Sequence, residues 1–252
     1  MDKDDRMPHL YNLIGDVIPN DHSRQVTSVN VCDEILGREN IQNVLDLGCG
    51  AGNSLDYFKR KNPKIEWVGL DIEGSPEVKS RTRTDGKFIF YDGIHIPFKD
   101  NSFDMVFSNH VFHHVRKPWE LLREVSRVLK PEGRFVGSVS YLEPYQSYSL
   151  WNYTPYGFKV LIEDAGMRLT EIRPSIDALT LIIRRALGKP KFFSRYWRRE
   201  SPFNKLISLI GIIKKMEHNK INLMKILICG QFIIVAQKTQ QHHNENVGYN
   251  NK

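Results

Sequence analysis

The chain has 252 residues, 40% of them hydrophobic, and a formal charge of +7. This length suits one α/β domain with room for an insertion, and the excess of cations favours an anionic partner or surface. Cys32, Cys49 and Cys229 stand far apart with no C-x-x-C pair, which excludes a disulfide framework and points to a reducing cytoplasm.

No secretory leader is expected, because the charged residues 1–6 are followed by no apolar core. The longest apolar stretches, 203–213 and 221–236, are interrupted by Lys205, Lys225 and Gln231 and fall short of the roughly 18–20 clean residues of a spanning helix. Residues 241–252 are rich in Asn, Gln and His and read as a disordered tail, in which His242 and His243 are solvated rather than metal-binding.

In chain order, 44–47 is an apolar run that reads as the first strand, and Gly48, Gly50 and Gly52 follow it at alternate positions. Without a Cβ these glycines let the chain turn tightly and bring its backbone close to a ligand at the strand's C-terminal end. A dinucleotide fingerprint needs its third glycine at position 53, which is Asn53. A helix is predicted over 55–60, with Lys59, Arg60 and Lys61 complementing the negative end of its dipole. Strands are predicted at 66–71, 87–92 and 103–108. At 118–129, Leu121, Leu122, Val125, Val128 and Leu129 recur at helical spacing, and Pro131 and Gly133 stop the helix. A fifth strand at 134–140, a helix at 158–165 closed by Gly166, a sixth strand from 169 to 172 and a last one at 231–238 complete the pattern. Such alternation gives a mostly parallel sheet with helices on both faces.

The sequence Asp46-Leu-Gly48-Cys49-Gly50-Ala-Gly52 resembles the nucleotide loop of the class I methyltransferases that use S-adenosyl-L-methionine. Asp71-Ile72 at the end of the second strand, Tyr91-Asp92-Gly93 after the third, and the stretch 96–110 follow in that family's order. Residues 129–134 match its turn into the fifth strand, with Glu132 where glycine is common. The resemblance covers roughly 40–172 and the final strand. It implies a Rossmann-like, seven-stranded sheet with an antiparallel last strand, and a core at 40–172 plus 231–238 within a domain filling 1–240. It also implies a cofactor site made by Asp46, Gly48, Cys49, Gly50 and Gly52 for the methionine part, Asp71 for the ribose, Ile72, Asp92 and Gly93 for adenine, and Asn109. Cys49 itself reads as a small packing residue, not a nucleophile.

The acceptor side is less specified. His110, His113 and His114 follow the fourth strand, and a histidine there could take a proton from an acceptor hydroxyl. His110 and His114 lie four apart, but no third ligand follows, so no metal is expected. The loop after the fifth strand is dense in aromatics; Tyr141, Tyr145, Tyr148 and Trp151 are candidates to stack on a sugar, an aromatic ring or an isoprenoid tail. Glu143 in the same loop reads as a solvated acid or a base.

Residues 173–230 form an unusual insertion. Arg184, Arg185, Lys189, Lys191, Arg195, Arg198 and Arg199 interleave with Phe192, Phe193, Tyr196 and Trp197 between apolar stretches at 176–187 and 203–213. The pattern fits peripheral membrane contact through 184–199, an anionic ligand, or a helical cap with a charged face. The expected activity is methyl transfer from S-adenosyl-L-methionine to oxygen on a small molecule, glycan or lipid-linked glycan. The alternatives are a quinone precursor methylated on carbon, a nucleic acid (not the expected partner), and a non-catalytic binding module. The expected location is cytoplasmic, with membrane association.

Overall fold

The computed structural model describes residues 6–146 and 148–239; the tail 241–252, read as disordered, lies outside the described residues. Seven strands form one sheet in the order β3-β2-β1-β4-β5-β7-β6. These are β1 (Asn43–Leu47), β2 (Glu66–Asp71), β3 (Lys87–Phe90), β4 (Phe103–Asn109), β5 (Leu129–Ser140), β6 (Met167–Pro174) and β7 (Gln231–Lys238). Strands β1 to β5 pair in parallel, whereas β7 inserts antiparallel between β5 and β6. The α/β, Rossmann-like architecture and the antiparallel last strand are as the sequence led us to expect.

Both faces of the central strands are buried, which is why β1, β4, β5 and β7 carry apolar residues at consecutive positions. Neighbouring residues serve opposite faces. Val44, Met105, Val136 and Ile233 pack on one side with Val31 and Cys32 of α2 (Ser28–Leu36) and Leu55 and Phe58 of α3 (Ser54–Lys61). Leu45, Val106, Phe135 and Ile234 pack on the other. There they meet Leu121, Leu122, Val125 and Val128 of α5 (Pro118–Val128) and Phe158 and Ile162 of α6 (Pro155–Asp164). A short α4 (Pro76–Lys79) lies between β2 and β3, and α1 (Arg6–Ile14) precedes α2.

Some boundaries differ from the sequence expectation. Strand β3 stops at Phe90, so Tyr91, Asp92 and Gly93 lie in the turn beyond it. Strand β5 starts at Leu129, directly after α5, and bulges outward: Leu129 pairs with Phe103 but Arg134 with Met105. Glu132 sits in this bulge at φ 63°, a left-handed conformation that costs a non-glycine residue about 1–2 kcal/mol. Its side chain accepts a hydrogen bond from Gln237, and its carbonyl a second from the same amide.

The insertion comprises α7 (Ala178–Ala186), a 3-10 turn (Lys191–Trp197), α8 (Pro202–Ile213) and α9 (His218–Leu227). The apolar stretch 221–236 is thus two elements, with Cys229-Gly230 breaking α9 from β7. Long-range polar contacts fix the insertion to the N-terminal segment. The Gln25 amide donates to the carbonyl of Tyr196 (2.7 Å) and accepts from Asn204 Nδ2 (2.8 Å) and Ser201 N (3.1 Å). Lys225, fully buried, donates to Glu200 and to the carbonyl of Ser23. Asn222 Nδ2 reaches the carbonyls of Pro19 and His22.

Candidate functional site

Strand order reverses between β1 and β4, so the chain ends leaving their C-termini diverge and leave a crevice. A cleft of about 1110 Å³ opens there. The β1–β3 half contributes Gly48, Gly50, Asp71, Ile72, Asp92 and Gly93; the β4–β5 half contributes Asn109, His110, His114, Glu143 and Tyr148; α7 and the turn after it add Arg184, Arg185, Lys189 and Trp197.

The glycine turn is shaped by conformation and close approach. Gly48 has φ 75°, and a Cβ there would lie 2.3 Å from Val111 Cγ2, in the loop after β4. Gly52, at φ 78°, would drive a Cβ to 2.8 Å from the Phe88 ring. Gly52 does not line the cleft; its carbonyl accepts from Arg83 (2.8 Å), which anchors the back of the turn. Asp71 closes the turn from β2. Its carboxylate accepts from Gly50 N (2.7 Å) and Ile72 N (2.8 Å), while burial pushes its pKa upward.

Asp46 is placed differently from the other two acids. It lies beneath the turn, 4% exposed, and accepts a hydrogen bond from Ser54, which in turn accepts from Trp67 Nε1 (2.9 Å). Burial, opposed by the Ser54 bond and reinforced by Asp71, raises its pKa to about 7. Asp46 is therefore the floor of the site and not its rim. Cys49 also faces inward, against Gly69, where a Cβ would come 2.7 Å from its Sγ. Burial pushes its thiol up to about 12. It packs, and offers no contact to the cleft. Asp92 lines the cleft but is half-exposed; its carboxylate accepts from Ile94 N and His95 N and pairs with His95 Nδ1 (2.6 Å). These contacts pull its pKa down to about 2, the His95 bond most strongly.

The three histidines separate. Gln231 Nε2 donates to His110 Nδ1 (2.9 Å) and to Glu143 Oε2 (2.7 Å). An amide NH₂ only donates, so the Nδ1 lone pair of His110 is engaged and Nε2 carries the proton. His110 is thus a neutral donor rather than a base, and burial holds its pKa down at about 4. His110 also adopts φ 61°, a strained conformation next to the cleft, with its N–H on Ser138 Oγ (3.0 Å). His113 is buried behind the wall and does not line the cleft, which removes it as a base. Since Ser140 Oγ donates to Glu143 (2.8 Å), the 3.2 Å contact between Ser140 Oγ and His113 Nδ1 is donated by the histidine. His114 lines the cleft, gives its Nδ1–H to the Tyr148 carbonyl (3.0 Å), and keeps its Nε2 lone pair. Among the described residues no cluster of His, Cys, Asp and Glu could hold a metal ion.

Of the four aromatic candidates after β5, only Tyr148 lines the cleft. Tyr145 is 74% exposed and points elsewhere; Trp151 donates Nε1 to the Val115 carbonyl (2.8 Å); Tyr141 packs against the core. Glu143 takes their place. It is held by Ser140 and Gln231, and burial pushes its pKa up. The sequence leaves Glu143 between a solvated acid and a base, and nothing local shows its partner Gln231, 88 residues away. Asn109 lines the cleft at the end of β4, its Oδ1 accepting from Ser28 (2.9 Å) and Ser138 (2.8 Å).

Residues 45–137 match the family described as a methyltransferase domain. The chain is 38% identical over 104 residues to the demethylmenaquinone methyltransferase of Thermotoga maritima, covering 41% of this chain and 45% of that protein. It is 37% identical over 98 residues to the phthiotriol/phenolphthiotriol dimycocerosates methyltransferase of Mycobacterium tuberculosis, covering 36% and 35% of the two chains. The chain therefore spans about half, or less, of the length of the curated relatives it matches. Among solved structures, a SAM-dependent methyltransferase from Aquifex aeolicus superposes with a TM-score of 0.52 at 16% identity, over 95% of this chain and all of that one.

Proposed function

We propose, for a chain that carries a class I S-adenosyl-L-methionine-dependent methyltransferase domain, that it methylates oxygen on a small-molecule, glycan or lipid-linked glycan acceptor. The observation that carries this reading is one cleft at the strand-order reversal, framed by a glycine turn and two acids on one side and by Glu143 and His114 on the other.

The β1–β3 side fits S-adenosyl-L-methionine. Gly48 and Gly50 present backbone with no Cβ, so a ligand can lie against the turn. The Asp71 carboxylate keeps lone pairs for a vicinal diol, and exposed Ile72 offers an apolar face to a flat ring. Asp92 and the backbone at Gly93 serve the ring's polar edge. Asp46, beneath the turn and with its pKa raised to about 7, is drawn to its ionised form by a nearby ammonium or sulfonium, which favours a cationic ligand over phosphates. When bound, the cofactor supplies an electrophilic methyl group on a positively charged sulfur.

The β4–β5 side handles the acceptor. Glu143, raised in pKa and held by two donors, can take the proton of an acceptor hydroxyl, and the Nε2 lone pair of His114 is the second candidate. His110, fixed as a donor by Gln231, orients an acceptor oxygen instead of deprotonating it. Trp197, edge-on to His110 with centroids 5.9 Å apart, helps exclude water from this end. The Thermotoga relative favours a second reading, methylation of a quinone precursor on carbon, in which Glu143 removes a ring proton.

Membrane contact belongs to this proposal. Ile182, Leu187 and Phe192 of the insertion and Leu209, Ile212 and Ile213 of α8 are exposed, between 49% and 72%. No helix among the described residues is long and apolar enough to cross a membrane, so the contact would be peripheral.

Titration with S-adenosylhomocysteine tests the cofactor site; absence of binding overturns the enzyme reading and revives a methyltransferase-like binding module. Incubation with ¹³C-methyl cofactor and lipid and saccharide extracts then tests the acceptor. A methoxyl resonance supports transfer to oxygen; a ring-methyl resonance replaces it with the carbon reading.

A further inference from the structure

The acceptor half of the cleft carries an excess of cations, of which Arg185 acts on Glu143 through space without pairing with it. Arg116, Arg184, Arg185 and Lys189 all line it, and among the described residues none of the four forms an ion pair. Arg184 Nε is buried with no hydrogen-bond partner. A guanidinium N–H withdrawn from water and left unsatisfied is costly, so its partner is expected to arrive with a ligand. Lys189 is held at φ 61° directly after Gly188 at φ 73°, and its N–H bonds the Arg184 carbonyl (2.8 Å). The chain therefore turns back through two successive left-handed residues, the second a lysine at the cleft. Glu143 is the carboxylate on this wall, and its Oε2 already accepts from Ser140 and Gln231.

Building on the proposed function, we infer that the acceptor carries a phosphate or diphosphate group, bound by Arg184, Arg185 and Lys189 with Arg116 completing the site. Charge selects this class. A single carboxylate would leave several cations unbalanced, whereas a diphosphate offers two to three negative charges and many acceptor oxygens for planar guanidinium donors. The neighbouring surface suits the rest of such a molecule. Leu181 and Trp197 line the cleft beside the cations, and Leu187 and Phe192 continue outward as exposed apolar residues. The two halves of the cleft thus have opposite electrostatic characters: acids under the glycine turn for a cationic ligand, cations under α7 for an anionic one.

Isothermal titration of inorganic pyrophosphate into the protein saturated with S-adenosylhomocysteine tests the site. Pyrophosphate is expected to bind the native chain, with affinity lowered at least tenfold in Arg184→Gln/Arg185→Gln and within twofold of native in Lys191→Gln, which removes one positive charge outside the cleft. S-adenosylhomocysteine affinity should stay within threefold in all variants, which also reports that they are folded. Absence of pyrophosphate binding, or equal weakening by Lys191→Gln, overturns the inference. A parallel arm uses vesicles containing phosphatidylglycerol. If the double variant loses vesicle binding while native protein ignores pyrophosphate, the cations serve the bilayer surface and the inference fails. Failure to bind S-adenosylhomocysteine would instead sink the proposed function, a separate result.

Discussion

The β1–β3 half of the cleft and the insertion that walls its other half are built by different means. The first is local in space, built from neighbouring turns of one half of the sheet: the glycine turn packs on Val111 and Phe88, and the backbone N–H groups of Gly50 and Ile72 orient Asp71. The second is assembled at long range: Gln25 reaches across more than 170 positions to Tyr196 and Asn204, and Lys225 reaches Ser23 and Glu200. Local construction gives a site that should survive damage elsewhere; long-range construction gives a wall whose parts stand or fall together.

Lys225→Ala should break the second region most severely. It strands Glu200 and the carbonyl of Ser23 around a fully buried position, and removing one partner of such a pair costs about 3–5 kcal/mol. Urea unfolding should record that loss, while S-adenosylhomocysteine affinity under native conditions changes less than threefold. Equal loss of both would mean that the two halves are one cooperative unit.

The cofactor half should show its own signature in pH. Asp46 is raised from 3.8 to about 7 in the folded protein, so between these values the folded state binds more protons than the unfolded one. Its contribution is then fully present below about pH 4 and is lost as pH rises through 7. Compared with Asp46→Asn, the native protein should lose up to about 4 kcal/mol of relative stability between pH 4 and 8. Denaturation of the pair across that range checks both sign and size; a flat difference would mean that Asp46 is ionised throughout.

Asp71→Ala should weaken S-adenosylhomocysteine binding by about 30-fold, or ~2 kcal/mol, since it removes the proposed ribose acceptor and the group that orders Gly50. Calorimetric titration measures it. Tyr145→Ala should have the smallest effect, below about 0.5 kcal/mol on stability and without change in S-adenosylhomocysteine affinity, because the ring stands in solvent away from the cleft. A large effect on either would restore Tyr145 to the site.

The same contrast explains what could be read from the sequence. The alternation of strands and helices was legible because the central strands, buried on both faces, carry short apolar runs such as Val44 and Leu45 in β1 and Met105, Val106 and Phe107 in β4. The positions of Gly48, Gly50, Asp71 and Asp92 at the cleft were legible because each stands at or just beyond the C-terminal end of a predicted strand, where the residue types themselves mark a βα turn. Asp46 was recognised as part of the site but not as its floor, since nothing in the sequence shows that Ser54 and Trp67 enclose it. The aromatic run after β5 suggested a stacking surface, yet only Tyr148 borders the cleft, because the burial of Tyr141 and the orientation of Trp151 depend on other loops. Glu143 and His110 took their chemical character from Gln231, which belongs to a strand reached only after the whole insertion. The α2 capping box at Thr27 and Asn30 was a local signal that the sequence reading passed over.

The Gln25 clasp has a consequence for engineering. Its amide simultaneously grips the carbonyl of Tyr196 and the side chain of Asn204, so the insertion that walls the cleft is fastened by a segment that precedes β1. A chimera that transplants 173–230 onto another scaffold would leave those groups ungripped, and moving the insertion will require carrying residues 19–25 along with it.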